Sequence, residues 1–291
     1  FPMGETPLFV TEDNVLLICT GGGIPNATAS IMALGLDKRF DLTQAYWLVA
    51  GISGGDPQDI SLGSAAWATV VVDGDLAYEI DAREIPEEWP YGYLPLGAKE
   101  PASTSPKETY SGWTLDTIKF ELNGGLANWA YEKTKNITLT VGKETEEFKK
   151  LFKNYPNAQK APFVTKGETL SSSTYWHGTY LNQWANDWVR LHGGANKNFM
   201  TTNMEDSGTL TALHRLARSG IVDTDKVMVL RTVSNYSMPP KGKPASWSTT
   251  APYPEMGAPA LETAYLVGHA VITEIVTHWE EMKSNVPGTV K

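Results

Sequence analysis

A chain of 291 residues fits one large α/β domain or two small ones. Apolar residues make up 41% and charged residues 20%, which excludes a disordered chain. The net charge of −9, with no basic cluster denser than Lys149-Lys150, argues against a nucleic-acid partner, and no run approaches the roughly 20 apolar residues of a spanning helix.

Residues 1–13 are turn-rich, and the opening Phe1-Pro2 reads as the cut end of a longer precursor. Residues 15–18 read as a buried strand carrying the single cysteine, Cys19, at its end, so no internal disulfide is possible. The chain then enters Thr20-Gly21-Gly22-Gly23 and a helix over 27–36, and a second apolar strand follows at 46–50. Strand, glycine loop, helix and strand make a βαβ unit, whose right-handed crossover sets the two strands parallel. After the second strand comes Gly51-Ile52-Ser53-Gly54-Gly55 and then Asp56-Pro57. Glycine at a strand's carboxyl end lets a ligand approach the backbone, so Ser53, Gly54 and Gly55 read equally as the floor of a small-molecule site or as a tight structural turn. A third strand is expected over 66–72. Neither G-x-G-x-x-G nor a Walker loop occurs, which counts against a dinucleotide or nucleotide cofactor.

Residues 83–111 carry five prolines with Trp89, Tyr91 and Tyr93, a pattern expected of an ordered excursion or lid. Helices are expected over 114–122, 126–135 and 144–154. Residues 171–178, SSSTYWHG, precede an aromatic helix with Trp184 and Trp188 on one face. Tyr175 and Trp176 lie outside that stripe and suit the wall of a flat ligand. His177 reads as an acid–base group or, more often for a lone histidine, as a structural one. A strand at 199–203 runs into Met204-Glu205 and a helix over 209–219; a strand at 227–233 ends at Ser234-Asn235; a helix over 259–282 closes the chain. With no repeat and no composition break, a single domain is expected.

Four of these pieces resemble one superfamily, the purine nucleoside phosphorylases and nucleosidases. Residues 16–30, with CTGGGIPNATAS, are similar to its strand–glycine loop–helix, and 47–63 to its GS-x-GG loop. Asn203-Met204-Glu205 resembles its E-M-E element, and residues 231–235 its R-x-x-S-D strand end. More narrowly, TGGGIPNA, AGISGG, YWHG and RTVS resemble the purine nucleoside permease (NUP) family. The resemblance implies a nucleoside phosphorylase-like α/β fold, a central mixed sheet flanked by helices in three αβα layers, and cleavage of a purine N-glycosidic bond without metal or organic cofactor. It implies catalytic roles for Glu205, holding the ribose hydroxyls, and Asn235, which with Ser234 reaches the N7 side of the base. Gly22, Gly23, Ser53, Gly54, Gly55, Asn203 and Met204 would line the ligand, and Tyr175 or Trp176 would stack on the base. The plain alternative for Glu205 is a helix-start carboxylate favoured by the dipole.

The departures are informative. Ile52 stands where phosphorylases place a phosphate-binding hydroxyl, and Val49 where some place an arginine. A buried phosphate dianion needs such partners, so water is favoured over phosphate as nucleophile. Asn235 replaces a proton-donating aspartate, giving up a factor of about 10²–10⁴ in rate, although one preorganised donor still contributes roughly 3 kcal/mol and favours an acceptor at N7. The superfamily's first strand is apparently absent from this chain, so a cleaved N-terminal segment of its own precursor is an expected partner, alongside a purine nucleoside or nucleobase ligand and a homo-oligomer. A non-catalytic nucleoside-binding, storage or uptake-associated protein is the alternative to an enzyme. Sequons at Asn26, Asn136 and Asn235 and the cut N-terminus lean towards secretion or the cell surface over the cytoplasm.

Overall fold

The computed structural model describes residues 1–101 and 116–289. At the chain's start Phe9–Val10 (β1) and Leu16–Leu17 (β2) form a small antiparallel pair. Ile24–Gly35 (α1) and Trp47–Gly55 (β3) follow, then Ala65–Ala68 (β4) and Val70–Asp73 (β5). Ala77–Glu79 (β6) and Tyr93–Pro95 (β7) make a second antiparallel pair. Lys119–Glu121 (β8), Gly124–Thr134 (α2), Lys143–Lys149 (α3), Val164–Lys166 (β9) and Glu168–Ser171 (β10) come next. The chain continues through Thr179–Gly193 (α4), Phe199–Asn203 (β11), Asp206–Arg218 (α5) and Val227–Tyr236 (β12). Ala258–Thr277 (α6) and Trp279–Met282 (α7) end it.

Eight strands form the central mixed sheet, in the order β8-β5-β10-β11-β3-β12-β4-β9. Ala68 and Val70 are two residues apart yet belong to strands towards opposite ends of that row, so the sheet curls round on itself. The expected strand over 66–72 is therefore two strands broken at Thr69. The break is chemically supported. The N–H groups of Thr69 and Val70 donate to the buried Glu168 carboxylate at 3.0 and 2.6 Å, and Lys197 pairs with the same carboxylate at 3.0 Å.

Helices cover both faces of the sheet. Ile31 of α1 and Leu210, Leu213 and Leu216 of α5 bury Val71 and Val229 on one side. Val267, Val271 and Ile275 of α6 and Leu126 and Ala130 of α2 bury Trp67 and Leu230 on the other. Close approach of α1 and α5 depends on Gly208, where a Cβ would stand 2.4 Å from the Ile24 carbonyl. A third cluster joins Trp184, Trp188 and Val189 of α4 to Val72, Leu170 and Phe199.

Three expectations need correction. Residues 15–18 are not a strand of the central sheet: only Leu16–Leu17 is extended, it pairs with β1, and Leu17 is exposed. The expected βαβ unit is absent because β3 takes β11 and β12 as its neighbours. The helix expected over 114–122 is instead a strand at Lys119–Glu121, where pairing with β5 overrides local preference; residues 114–115 lie outside the described residues. Of the expected excursion, residues 102–111 also lie outside them. Its earlier part is tied down by Tyr91, whose hydroxyl donates to Asp187 at 3.0 Å, and by Tyr93, which stacks on Trp184 at 4.6 Å.

Candidate functional site

The carboxyl end of β3, the loop after β10, the end of β11 and the end of β12 meet at one hollow. Its lining is Gly54, Thr174, Tyr175, Trp176, Thr202, Asn203, Met204 and Asn235, and its volume is about 30 Å³. That is roughly a tenth of the lower end of the ~300–1,000 Å³ usual for small-molecule sites. A larger hollow of about 100 Å³ lies beside His214, Arg215 and Arg218 in the last turns of α5, the end of that helix remote from Glu205.

Strand parity decides which glycines face the hollow. A Cβ at Gly54 would stand 3.0 Å from Thr202 Cγ2 and 3.3 Å from Asn235 Nδ2, so Gly54 is the floor beneath both. Ser53 and Gly55 sit on the other side of the pleat. The Ser53 hydroxyl donates to the Thr232 carbonyl at 3.1 Å, and a Cβ at Gly55 would collide with Val233 and Ile60. Asn235 stays beside Gly54 because the β3–β12 register shifts between Val233 and Asn235, leaving Ser234 as a bulge. Ser234 lies beneath the surface, its hydroxyl 3.1 Å from the Ser53 carbonyl and 3.0 Å from Asn235 Oδ1.

Asn203 lines the hollow but its side chain is spent on the start of α5. Its Oδ1 accepts from the N–H groups of Glu205 and Asp206 at 3.0 and 2.9 Å, and its Nδ2 donates to Thr169 and Asp206 at 2.8 and 2.7 Å. Glu205 reaches the glycine loop. Its Oε1 accepts from the Gly23 N–H at 3.3 Å, and its Oε2 accepts from Met204 N–H at 3.3 Å and lies 3.5 Å from Arg231 Nη1. These contacts are long and the carboxylate is 23% exposed, so acceptor capacity remains. Gly22 faces open space, with nothing within 4 Å of a Cβ there.

Trp176 has two roles in the packing. It is 7% exposed and meets Trp184 edge-on at 5.6 Å, yet it also contributes to the hollow's wall. Tyr175 is the exposed ring, with its hydroxyl in hydrogen-bonding reach of the Asn235 amide. His177 is not part of the lining. It bonds Ser248, and burial holds its pKa down at about 4, so it is neutral at physiological pH.

Two features escaped the reading of the sequence. Arg231, buried on β12, is chelated by the fully buried Asp206: Nε lies 3.1 and 3.0 Å from the two carboxylate oxygens, and Nη2 bonds the first of them. Its Nη1 donates to the Ile52 carbonyl at 3.1 Å, and a Cβ at Gly51 would stand 2.7 Å from that nitrogen. Arginine inside the R-x-x-S motif was the available signal; its partner, 25 residues earlier, was not.

Asp73 and Asp75 hold up the loop after β10. Asp75 accepts from the Ser172 hydroxyl at 2.5 Å and the Ser173 N–H at 3.0 Å, while Asp73 accepts from the N–H groups of Asp75 and Leu76. Burial pushes the Asp73 carboxyl up to about 6. Between the unfolded value and about 6 the folded protein keeps a proton that the unfolded chain has lost, so stability falls as pH rises through that window. Asp73→Asn should therefore be neutral near pH 4 and stabilising by ~1–3 kcal/mol at pH 7.5. Urea unfolding at both values checks this; a pH-independent difference contradicts it.

The architecture is that of known nucleosidases. A 5′-methylthioadenosine/S-adenosylhomocysteine nucleosidase from Neisseria meningitidis superposes with a TM-score of 0.50 at 15% identity, covering 90% of this chain and 81% of that one. The futalosine hydrolase of Helicobacter pylori gives 0.50 at 15%, covering 92% and 83%. In sequence, a Candida albicans purine nucleoside permease is 34% identical over 277 residues, 94% of this chain and 66% of the relative. A Schizosaccharomyces pombe protein described as a purine nucleoside permease is 30% identical over 271 residues, 92% and 78% of the two chains. This chain thus spans about two-thirds of the Candida relative's length. The profile of the purine nucleoside permease (NUP) family matches residues 3–287, and the chain belongs to that family.

Proposed function

We propose that the protein binds purine nucleosides in this hollow and cleaves their N-glycosidic bond, with water favoured over phosphate as nucleophile. The observation that carries the reading is the meeting, at the carboxyl ends of central strands, of an amide donor (Asn235), an aromatic ring (Tyr175) and a glycine floor (Gly54) in one hollow, with the Glu205 carboxylate outside its lining but next in sequence to Met204, which is part of it. In this scheme Tyr175 and Trp176 flank the base and Met204 packs against the sugar. Glu205 accepts from the ribose hydroxyls and places negative charge near an oxocarbenium-like sugar as the bond to the base lengthens. Asn235 donates to the departing base, where one preorganised donor contributes roughly 3 kcal/mol. Ile52 is 37% exposed and Val49 is apolar, which leaves a phosphate dianion without their help.

One observation favours a second reading, capture without turnover. Among the described residues no Asp, Glu or His lines the hollow itself, so none there activates water. The relatives' name suggests a part in uptake; among the described residues no helix is long and apolar enough to cross a membrane. Incubation with inosine and adenosine, with and without phosphate, separates the cases by chromatography. Free base without phosphate supports hydrolysis, base only with phosphate makes it a phosphorylase, and saturable binding without base makes it a binding protein. Self-association belongs to the same proposal, supported by the exposed Met256, Leu261 and Tyr265 in and before α6. Light scattering at two concentrations tests it, and a monomer at both rejects it.

A further inference from the structure

Asp75 has no place in the hollow's lining, yet both of its carboxylate oxygens serve the loop that builds the hollow's wall. Oδ1 accepts from the Ser172 hydroxyl at 2.5 Å and Oδ2 from the Ser173 N–H at 3.0 Å. The Ser172 oxygen in turn accepts from the Thr174 N–H at 3.3 Å, so three successive residues hang on one carboxylate. Tyr175 and Trp176 come next in the chain.

The carboxylate is itself held in place. Its own residue's N–H donates to Asp73 Oδ1 at 2.9 Å, and the Gly74 N–H donates to the Ser171 carbonyl at 2.8 Å. Trp188 of α4 donates its ring N–H to the Asp73 carbonyl at 2.8 Å. On its far side the turn meets the glycine loop. There the Ser173 hydroxyl accepts from the Ile24 N–H at 3.3 Å, one residue past the Gly23 N–H that bonds Glu205. Helix α1 starts after a glycine that offers no side-chain cap, so these two acceptors stand in for one. The turn therefore joins the aromatic wall to the carboxylate side of the site. Asp75 itself is exposed, so core packing does not depend on it. Two hydrogen bonds to one ionised acceptor are strong enough to fix the turn's geometry.

We propose that Asp75 is a positioning residue: its carboxylate sets the turn over residues 172–174 and, through it, holds Tyr175 and Trp176 against the base. This rests on the purine-binding reading above and adds to it a group that touches no ligand.

The test is calorimetric titration of the full chain with hypoxanthine and with carbocyclic inosine, which resists cleavage. In Asp75→Ala the turn loses two hydrogen bonds to a charged acceptor. The competent loop should then be populated in about a tenth of the molecules, and both affinities should drop about tenfold. Asp75→Asn keeps one acceptor oxygen and should lose only about threefold. Urea midpoints of both variants should stay close to that of the unaltered protein. The double variant Asp75→Ala/Ser172→Ala should bind about as well as the weaker single variant, because both substitutions break the same turn. Losses that multiply in the double variant overturn the proposal, as do unchanged or tighter binding in Asp75→Ala and a loss confined to the riboside. A fall in affinity matched by a fall in urea midpoint makes Asp75 structural and overturns its positioning role. If the unaltered protein binds neither compound, the purine reading itself fails and this proposal with it.

Discussion

Replacing Arg231 with methionine should destabilise the fold by about 3–5 kcal/mol, the penalty for leaving one partner of a buried ion pair uncompensated. Asp206 is 0% exposed, and its carboxyl group would lose the cation that meets it. A domain has only ~5–15 kcal/mol of stability, so the single variant should unfold at markedly lower denaturant. The double variant Arg231→Met/Asp206→Leu should recover most of the loss, because removing both charges also removes their desolvation cost. Equal instability of the single and double variants would show that packing around Arg231, not charge pairing, holds this corner.

Glu205→Gln should leave stability nearly unchanged, since Arg231 keeps Asp206 as its main partner. Its effect should fall on the sugar. A hydrogen bond to a charged acceptor is worth about 1.5–3 kcal/mol, so loss of the carboxylate should lower riboside affinity or kcat/KM by roughly 10–10². Affinity for the free base, which has no ribose, should change little. Titration of the variant with inosine and with hypoxanthine separates the two effects; equal losses for both would remove Glu205 from the sugar side of the site.

Much of the scaffold was readable from local pattern. The apolar runs of β3 and β12 and the helix now seen at Ile24–Gly35 announced themselves in the sequence; β12 is buried on both faces, which leaves no polar side to confuse the period, whereas β3 leaves Ala50 and Ile52 exposed. What stayed hidden depends on distant residues. Nothing near Thr69 marks a strand break; Glu168, 99 residues on, supplies the acceptor for its amide. Glu168–Ser171 itself is a fully buried strand in which only Leu170 is apolar, legible only once its partners β5 and β11 are known. At the site, glycine spacing pointed to the right loop but not to its faces. A one-residue step in the pleat separates Gly54, which lines the hollow, from Ser53 and Gly55, which do not. Asn203 looked like a ligand contact by analogy with an acidic residue, and its side chain is committed to capping α5.

The central claim is that a purine riboside lies with its base over Gly54 and its sugar at Glu205. A crystal structure with carbocyclic inosine, whose ring lacks the oxygen that cleavage requires, tests this most directly. The account predicts the base between Gly54 and Tyr175, its N7 edge at Asn235, and both sugar hydroxyls within hydrogen-bonding distance of the Glu205 carboxylate. A ligand bound elsewhere, or one in the hollow with its hydroxyls turned away from Glu205, would contradict it.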